Sequence, residues 1–368
     1  MTTAASDPQV NPEPPDDDDD HEERPALKIT ARGLVGITAF LLLALAALYF
    51  LVPKLAGLDE TWSRIEDGRP AWTIAALFLT CGMYLGYVVM FRGVYGRAAE
   101  RIGWAASYQI TFAGLAASRL FAAGGAGGLV VTAWALRRSG MRKRAVADKT
   151  ISFLVLTYFP YAVAVIVCGF GLHWGLFSGP DPISLTFAPA VAGCVMIAIA
   201  VAIAFVPPDL QRRLSGFARE GRFARLIEKL ANVPAASSAG LRDAIDHVRS
   251  GDPALLGAIL YWGFQVLVLW ACFRAFGDSP PGGVLVQAFF IGMLGNLLPI
   301  PGGVGGVEGG MVGAYTAFGV DFDLALVAVL VFRAFTFWLP LVPGVIAYFR
   351  LRRTVDGWKQ ERAASAAA

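Results

Sequence analysis

The sequence predicts an all-α polytopic membrane protein with six transmembrane helices and two re-entrant helical hairpins in inverted repeats. Three observations support this fold class. Apolar residues make up 56% of the chain and the mean hydropathy is +0.57, which is typical of membrane proteins and not of soluble domains. Six continuous apolar runs are each long enough for a transmembrane helix of about 20 residues. Two further apolar segments are interrupted by glycine-rich runs.

The six continuous apolar runs are the predicted transmembrane helices, and they cover residues 34–52, 71–91, 150–172, 185–206, 254–276 and 324–349. No small-residue cleavage site clearly follows the first run, so we expect it to remain as an anchor and not to be a signal peptide. The whole transmembrane domain is predicted over 28–350. Before it, the acidic segment 1–27 is predicted to be a disordered cytoplasmic tail. After it, 351–368 is predicted to be a C-terminal cytoplasmic tail.

The basic residues predict the orientation of the chain, because Lys and Arg near span ends favour the cytoplasm. Of the 31 Lys and Arg, 25 lie in five segments that the predicted spans place on one side of the membrane: 24–32, 92–104, 137–149, 207–253 and 350–368. We therefore expect a multi-pass protein of the bacterial cytoplasmic (inner) membrane with both termini in the cytoplasm.

The charge distribution requires that residues 105–136 and 284–319 each enter the membrane and return to the side from which they came. Each half of such a hairpin has about 15 residues and reaches roughly 22 Å into a hydrocarbon core of about 30 Å. A glycine-rich tip would then lie near the midplane. Ordinary kinked helices packed through Gly-xxx-Gly faces are the alternative for either region.

The two interrupted segments belong to an internal repeat. The run Ala122–Gly128 aligns with Ile300–Gly306 at a constant offset, and Thr157–Pro160 aligns with Thr336–Pro340 after a slip of one residue. The repeats would cover 71–172 and 254–349, inverted with respect to the membrane. Interrupted hydrophobic segments at matching places in inverted halves indicate a transporter-like site near the midplane.

Charged residues within these segments are the candidate site. A helix that begins just after Gly303, or after Gly125, would direct its N-terminal N–H groups at the hairpin tip and favour an anion there. Arg119 could add a forked contact to a phosphate, although it could instead extend to the cytoplasmic interface. Glu308 is predicted to pair with Arg333, since intramembrane ionisable residues usually pair. That pair could be functional or purely structural.

The full set of candidate substrate-binding or gating residues is Arg119, Gly124, Gly125, Gly127, Asn296, Pro299, Pro301, Gly302, Gly303, Gly305, Glu308 and Arg333. The charges break the symmetry of the repeat, because Arg119 aligns with Leu297 and Glu308 aligns with Val130. Within 207–253, apolar and basic residues alternate in the manner of an amphipathic helix on anionic lipid at the cytoplasmic face. A partner-protein surface is the alternative for that loop, and nucleic-acid binding is not expected.

Other chemistries find little support in the sequence. The four cysteines lie in apolar runs without metal-ligand spacing, and the three histidines are scattered. The chain contains no Gly-xxxx-Gly-Lys-Ser/Thr loop for ATP. We therefore predict no metal site, no catalytic residues, no cofactor and no enzymatic activity.

The run Pro299–Glu308, with its pattern Pro-x-Pro-Gly-Gly-x-Gly-x-x-Glu, and the later run Phe332–Pro340 resemble the lysylphosphatidylglycerol synthase transmembrane-region family. These are flippase-like integral membrane proteins of bacteria and archaea. The resemblance covers about 34–350 and implies a bundle of inverted repeats that binds or moves a phospholipid or lipid-linked headgroup. A cytosolic aminoacyl-transferase domain follows in the best-known members, and its absence here argues against lipid aminoacylation. The first hairpin departs from the family pattern at Ala123 and Val130.

These observations lead to one principal hypothesis about function. We expect a flippase-like transporter that translocates a phospholipid or lipid-linked substrate across the membrane. The alternative is a non-catalytic or transferase-associated subunit in envelope glycolipid synthesis. The expected partners are that lipid and anionic lipid at the cytoplasmic face, and a homodimer is left open.

Overall fold

The computed structural model describes residues 68–99, 101–120, 126–205, 238–298 and 303–367. Within these ranges the chain is helical and contains no strand. The acidic N-terminal tail, the first predicted span and the basic amphipathic stretch of the long loop lie outside the described residues. The all-α prediction is therefore confirmed for the part of the chain that carries both predicted repeats.

Ten helices are labelled here in chain order: α1 Pro70–Tyr95, α2 Trp104–Leu120, α3 Ala126–Arg138, α4 Lys143–His173, α5 Phe187–Ala204, α6 Pro253–Phe276, α7 Gly282–Met293, α8 Gly306–Ala317, α9 Phe322–Arg333 and α10 Leu341–Ala367. A 3₁₀ turn at Leu294–Leu297 extends α7. A π turn at Ala334–Trp338 joins α9 to α10. Residues 238–250 are also helical.

Five helical segments are long and apolar enough to cross a membrane: α1, α4, α5, α6 and the continuous run of α9, the π turn and α10 from Phe322 to Glu361. They coincide with the last five predicted spans, so the chain is a multi-pass integral membrane protein. The predicted C-terminal tail is helical as far as Ala367. The side chains of Leu351, Val355 and Trp358 are buried within the bundle.

Helices α1 and α6 form the most extensive helix pair and run antiparallel. Gly93 lies against Ala254 near one end of the pair. Gly86 lies against Gly257 further along, and a Cβ atom added at Gly257 would come within 2.4 Å of the Met90 backbone nitrogen. The absence of side chains at this crossing therefore lets the two backbones approach closely, as small residues do in membrane helix pairs.

The two predicted hairpin regions each contain a pair of packed antiparallel helices. In the first, Gly114 of α2 lies against Gly128 of α3. In the second, Gly292 of α7 lies against Gly310 of α8, and Gly295 of the 3₁₀ turn lies against Gly306. Each pair also packs on the last helix of the other half of the chain, α2 against α10 and α7 against α4.

A cluster of charges ties helical residues 238–250 to the bundle, where α1 ends and α6 begins. Asp252 accepts from the Ala254 amide at the start of α6 and pairs with Arg97 at 2.5 Å. The Lys149 ammonium lies 2.8 Å from Asp243, and His247 lies 3.6 Å from Asp243 and 3.5 Å from Asp252. Burial alone would raise the pKa of the Asp243 carboxyl, but its contacts with His247 and Lys149 outweigh burial and hold the pKa below its usual range.

Candidate functional site

The site is built around the π turn in the last membrane segment. Pro340 has no amide N–H, so it cannot bond to the carbonyl four residues earlier, which is that of Thr336. The Leu339 amide bonds instead to the Ala334 carbonyl five residues back, at 2.9 Å. The break leaves carbonyl oxygens that need other donors, as is usual where a π turn interrupts a helix.

Arg119, in the last turn of α2, supplies most of those donors. Its Nη1 donates to the Phe337 carbonyl at 2.9 Å, and its Nη2 donates to the Thr336 carbonyl at 3.0 Å. The Tyr84 hydroxyl of α1 donates to the same Thr336 carbonyl at 2.7 Å and lies 3.2 Å from Arg119 Nη2. These partners lie near the middle of α1 and of the α9–α10 segment. Arg119 therefore does not extend to the end of the bundle, which was the alternative left open by its sequence.

The Arg119 guanidinium has no carboxylate partner within the described residues. Its two terminal nitrogens are occupied by neutral oxygens, and its carbon lies 5.0 Å from the centre of the Phe337 ring. Neutral acceptors satisfy the hydrogen bonds of a guanidinium but leave its charge uncompensated. An anion would therefore be stabilised next to this residue.

Glu308 and Arg333 form the ion pair that the sequence predicted. Arg333 Nε donates to Glu308 Oε1 at 2.7 Å, and each side chain is 6% exposed. Glu308 Oε2 accepts from the Gly305 amide at 2.8 Å. Glu308 thus caps the first turn of α8. Gly305 has φ of +85° and the nearby Gly303 has φ of +64°, conformations that favour glycine.

The guanidinium groups of Arg333 and Arg119 pack on the same aromatic ring. The Arg333 guanidinium carbon lies 4.3 Å from the centre of the Phe337 ring, on which Arg119 also packs. Val304, just before α8 in the second hairpin, packs against the cluster of Phe337, Trp338 and Leu341. The cluster of Arg119, Glu308 and Arg333, called the charge cluster below, thus joins both hairpins to the π turn. Its formal charge is +1.

The remaining candidate residues do not belong to the charge cluster. Gly127 lies in the first turn of α3, which begins at Ala126 as expected for a helix starting after Gly125. Asn296 is exposed in the 3₁₀ turn, and a Cβ atom added at Gly303 would lie 2.5 Å from its Oδ1. Five candidates lie outside the described residues, and these are Gly124, Gly125, Pro299, Pro301 and Gly302.

Sequence reasoning missed Tyr84, Thr336 and Phe337. A proline inside an apolar run indicates that the carbonyl four residues earlier lacks its helical donor, so Thr336 could have been found from Pro340. Tyr84 carries no such signal, because a tyrosine in a span can face a ring, a carbonyl or lipid. Its role depends on a contact with a helix about 250 residues away in the chain.

The Tyr84 contact has a counterpart that joins the same two predicted repeats in the opposite sense. Trp262 of α6 donates from Nε1 to the Thr157 carbonyl of α4 at 2.6 Å. The offset that aligns the glycine runs also aligns Tyr84 with Trp262, and Thr157 is the counterpart of Thr336. The hydrogen bonds therefore repeat between the halves. The charges do not, because Leu297 occupies the position equivalent to Arg119 and is 81% exposed.

Known membrane proteins are similar in sequence to this chain. A UPF0104 membrane protein of Methanothermobacter thermautotrophicus (strain Delta H) is 26% identical over 322 residues, which is 83% of this chain and 90% of that protein. Two further matches to proteins of that name from the same organism are 32% identical over 126 residues and 31% identical over 91 residues, covering 32% and 24% of this chain and 38% and 27% of those proteins. No solved structure matches the chain. Residues 34–344 match the family described as the lysylphosphatidylglycerol synthase TM region, and the chain belongs to that family.

Proposed function

We propose that this protein is a flippase-like transporter that moves a phospholipid or lipid-linked headgroup across the bacterial cytoplasmic membrane. The observation that carries this proposal is the net positive charge cluster near the middle of two span-length segments. A charge at such a position costs about 2.5–3.5 kcal/mol on insertion scales, and residues of this kind usually mark a substrate pathway. The phosphate of a lipid headgroup would neutralise the cluster.

Several features of the fold support two inverted repeats with a re-entrant hairpin in each. The first helices of the two halves, α1 and α6, run antiparallel. Each hairpin packs on the last helix of the other half. The hairpin helices α2, α3, α7 and α8 have 17, 13, 12 and 12 residues, and all four are shorter than the roughly 20 residues of a typical span. Inverted repeats with broken segments near the midplane are a common design of secondary transporters.

The contacts of the charge cluster suggest how substrate and protein conformation are coupled. Arg119 holds the first hairpin to the π turn through neutral carbonyls. A phosphate is a stronger acceptor for a guanidinium than a carbonyl is. Headgroup binding would therefore draw Arg119 away from Thr336 and Phe337 and weaken the attachment of the first hairpin to the last helix. Glu308 and Arg333 would keep the second hairpin attached, so only one half moves in this step.

The test is a headgroup-accessibility assay in proteoliposomes across a panel of lipids. The wild-type protein should accelerate exchange of at least one phosphate-bearing lipid. Arg119→Ala should lower that rate at least tenfold, while Arg119→Lys, which keeps the charge but not the fork, should give an intermediate rate. Arg350→Ala is the matched control because Arg350 is exposed on the last helix. A wild-type protein that accelerates no lipid would refute transport.

The topology is tested separately by labelling single cysteines in a background without the native ones. Cysteines at Gly282 and Val320, on either side of the second hairpin, should both react with an impermeant reagent from outside the cell. Labelling from opposite sides would refute the re-entrant arrangement. We also propose that both termini are cytoplasmic and that the basic loop 207–253 contacts anionic lipid. Transport would need no cofactor and no catalysis. A homodimer would be detected by light scattering.

A further inference from the structure

A groove with a volume of about 480 Å³ lies between α4, α5 and the helix of residues 238–250, and it is called the α4–α5 groove below. On α4 it extends from Leu154 to Ala162, and on α5 it extends from Met196 to Phe205. These stretches are about 12 Å and about 14 Å long at 1.5 Å per residue. No residue of the charge cluster is among the described residues that line the groove. The groove is therefore a second cavity with its own chemistry.

The inner end of the α4–α5 groove is a close contact between the two helices. Gly193 of α5 lies against Ile166 of α4, and a Cβ atom added at Gly193 would come within 2.9 Å of the Ile166 side chain. The groove begins about one turn from this contact, at Ala162 on α4 and at Met196 on α5. The close approach that Gly193 permits therefore closes the groove at this end.

The outer end of the α4–α5 groove is bounded by the helix of residues 238–250. Arg242 of this helix donates from Nε to the Ala204 carbonyl in the last turn of α5, at 2.9 Å. Asp243 pairs with Lys149 in the second turn of α4, at 2.8 Å. Both long walls are thus bonded to the third wall. The groove is therefore preformed and does not need a ligand to open it.

The lining of the α4–α5 groove favours a hydrocarbon ligand, and the volume is within the range of ligand sites. Of the fifteen described lining residues, only Tyr158 and Arg249 carry a side-chain nitrogen or oxygen. A polar ligand would find few hydrogen-bond partners there, and a polar group without a partner is costly to bury. A hydrocarbon chain needs no such partner and gains dispersion contacts with the walls. Because Tyr158 and Phe205 are exposed, the groove is open to the lipid around the bundle.

The length of the groove and the charge at its outer end identify the kind of hydrocarbon. One leaflet is about 15 Å deep, half of a hydrocarbon core of about 30 Å, and the groove has a similar length. Arg249, on the helix that bounds the outer end, is exposed and forms no ion pair with a described carboxylate. A guanidinium is well suited to bind a phosphate. A hydrocarbon chain of one leaflet with a phosphate at its outer end is a phospholipid.

We infer that the α4–α5 groove holds one acyl chain of a phospholipid from the leaflet at this end of the bundle, and that Arg249 binds its phosphate. This lipid contacts α4 and α5 of the first half of the chain. It also contacts the helix that leads into α6, the first helix of the second half. The lipid therefore stabilises the link between the two halves and is not the transported molecule. The inference does not depend on the proposed transport function.

The experiment counts the lipids that stay bound to the purified protein, by mass spectrometry of the intact protein after removal of detergent. The probes are dioleoyl phosphatidylglycerol, dioleoylglycerol, which has the same chains but no phosphate, and oleate. Ala200 lines the groove, so Ala200→Phe should fill it and remove one bound phosphatidylglycerol. Ala198→Phe is the matched control, because Ala198 is exposed on the same helix and does not line the groove. It should leave the number of bound lipids unchanged.

A second variant tests the phosphate contact without altering the packing of the groove. The lipid that Ala200→Phe removes should bind to the wild-type protein at least tenfold more tightly as phosphatidylglycerol than as dioleoylglycerol, the value of one charge-assisted hydrogen bond. Arg249→Gln should abolish this preference and leave dioleoylglycerol binding unchanged. Arg350→Gln, at an exposed arginine of α10, should keep the preference.

Four results would overturn the inference. The first is an equal number of bound lipids in the wild-type and Ala200→Phe proteins. The second is equal binding of phosphatidylglycerol and dioleoylglycerol, and the third is displacement of phosphatidylglycerol by oleate at the same concentration. The fourth is a wild-type protein that keeps no lipid in the groove. In that case a dimer that dissociates in Ala200→Phe would identify a second copy as the occupant, and a lipid-free Ala200→Phe monomer of lowered stability would identify residues 206–237 of the same chain.

Discussion

Removing the Glu308 carboxylate is the most direct test of the charge cluster. In the structure Glu308 accepts from Arg333 Nε at 2.7 Å and from the Gly305 amide at 2.8 Å, and both members of the ion pair are 6% exposed. Glu308→Ala would leave the Arg333 guanidinium without its carboxylate partner. It would also leave the first turn of α8 without its cap.

The expected magnitude follows from those two losses. Removing one member of a buried ion pair costs about 3–5 kcal/mol because the other charge stays buried, and losing a helix cap costs about 1 kcal/mol. We therefore expect Glu308→Ala to lower the free energy of unfolding by about 4–6 kcal/mol. Glu308→Gln keeps the volume and one acceptor, so a loss of about 2–3 kcal/mol is expected, the value of a charge-assisted hydrogen bond.

The assay is reversible unfolding in mixed micelles with increasing denaturing detergent. Asp278→Asn serves as the control. Asp278 pairs with Arg274 at 3.4 Å but is 94% exposed, and exposed ion pairs contribute little to stability. The double variant Glu308→Gln/Arg333→Gln should be more stable than Glu308→Gln, since it no longer buries an unpaired cation. A Glu308→Ala protein as stable as Asp278→Asn would show that the pair is not buried and would refute this reasoning.

Three further predictions concern a glycine with positive φ, one helix crossing and the charges at the end of the bundle. Gly305→Ala should lose about 1–2 kcal/mol in the same unfolding assay because φ of +85° strains any side chain, whereas Gly313→Ala, where an added Cβ meets nothing within 4 Å, should not. Gly257→Ala should lose about 3 kcal/mol because the added Cβ meets the backbone of α1, and Gly263→Ala on the same helix, with open space around it, is its control. Because the folded-state pKa of Asp243 is lowered, its stabilisation is present above about pH 4 and is lost progressively as the pH falls below that value toward the folded pKa, so Asp243→Asn should flatten the fall in stability measured between about pH 5 and pH 2.

The span-length helices could be located from the sequence because the thickness of the membrane determines their length. The run predicted at 254–276 is α6, Pro253–Phe276, and the run at 71–91 is the core of α1, Pro70–Tyr95. For these two helices the predicted ends are too short by up to four residues, and α4 begins at Lys143, seven residues before the predicted run, because polar residues continue a helix beyond the hydrocarbon. A long apolar run is a local signal and needs no knowledge of its neighbours.

The Glu308–Arg333 contact could also be predicted, since an acid and a base within apolar segments have a strong reason to pair. The second arginine could not be placed in this way. Arg119 reaches carbonyls that are free only because Pro340 interrupts the helix, and its depth depends on how α2 packs on α10. Pro340 indicates that the Thr336 carbonyl is free, but nothing in the sequence shows which side chain donates to it.

Sequence alone was sufficient for the class of protein, the five described spans, the broken segments and one ion pair, because hydropathy, helix breaking and the cost of unpaired charge act on the local chain. Only the tertiary structure brought Arg119 and Arg333 to the same ring of Phe337. Those contacts join residues that are up to about 220 positions apart in the chain. Such contacts form only when helices cross at specific glycines, and the geometry of those crossings follows from packing the whole bundle.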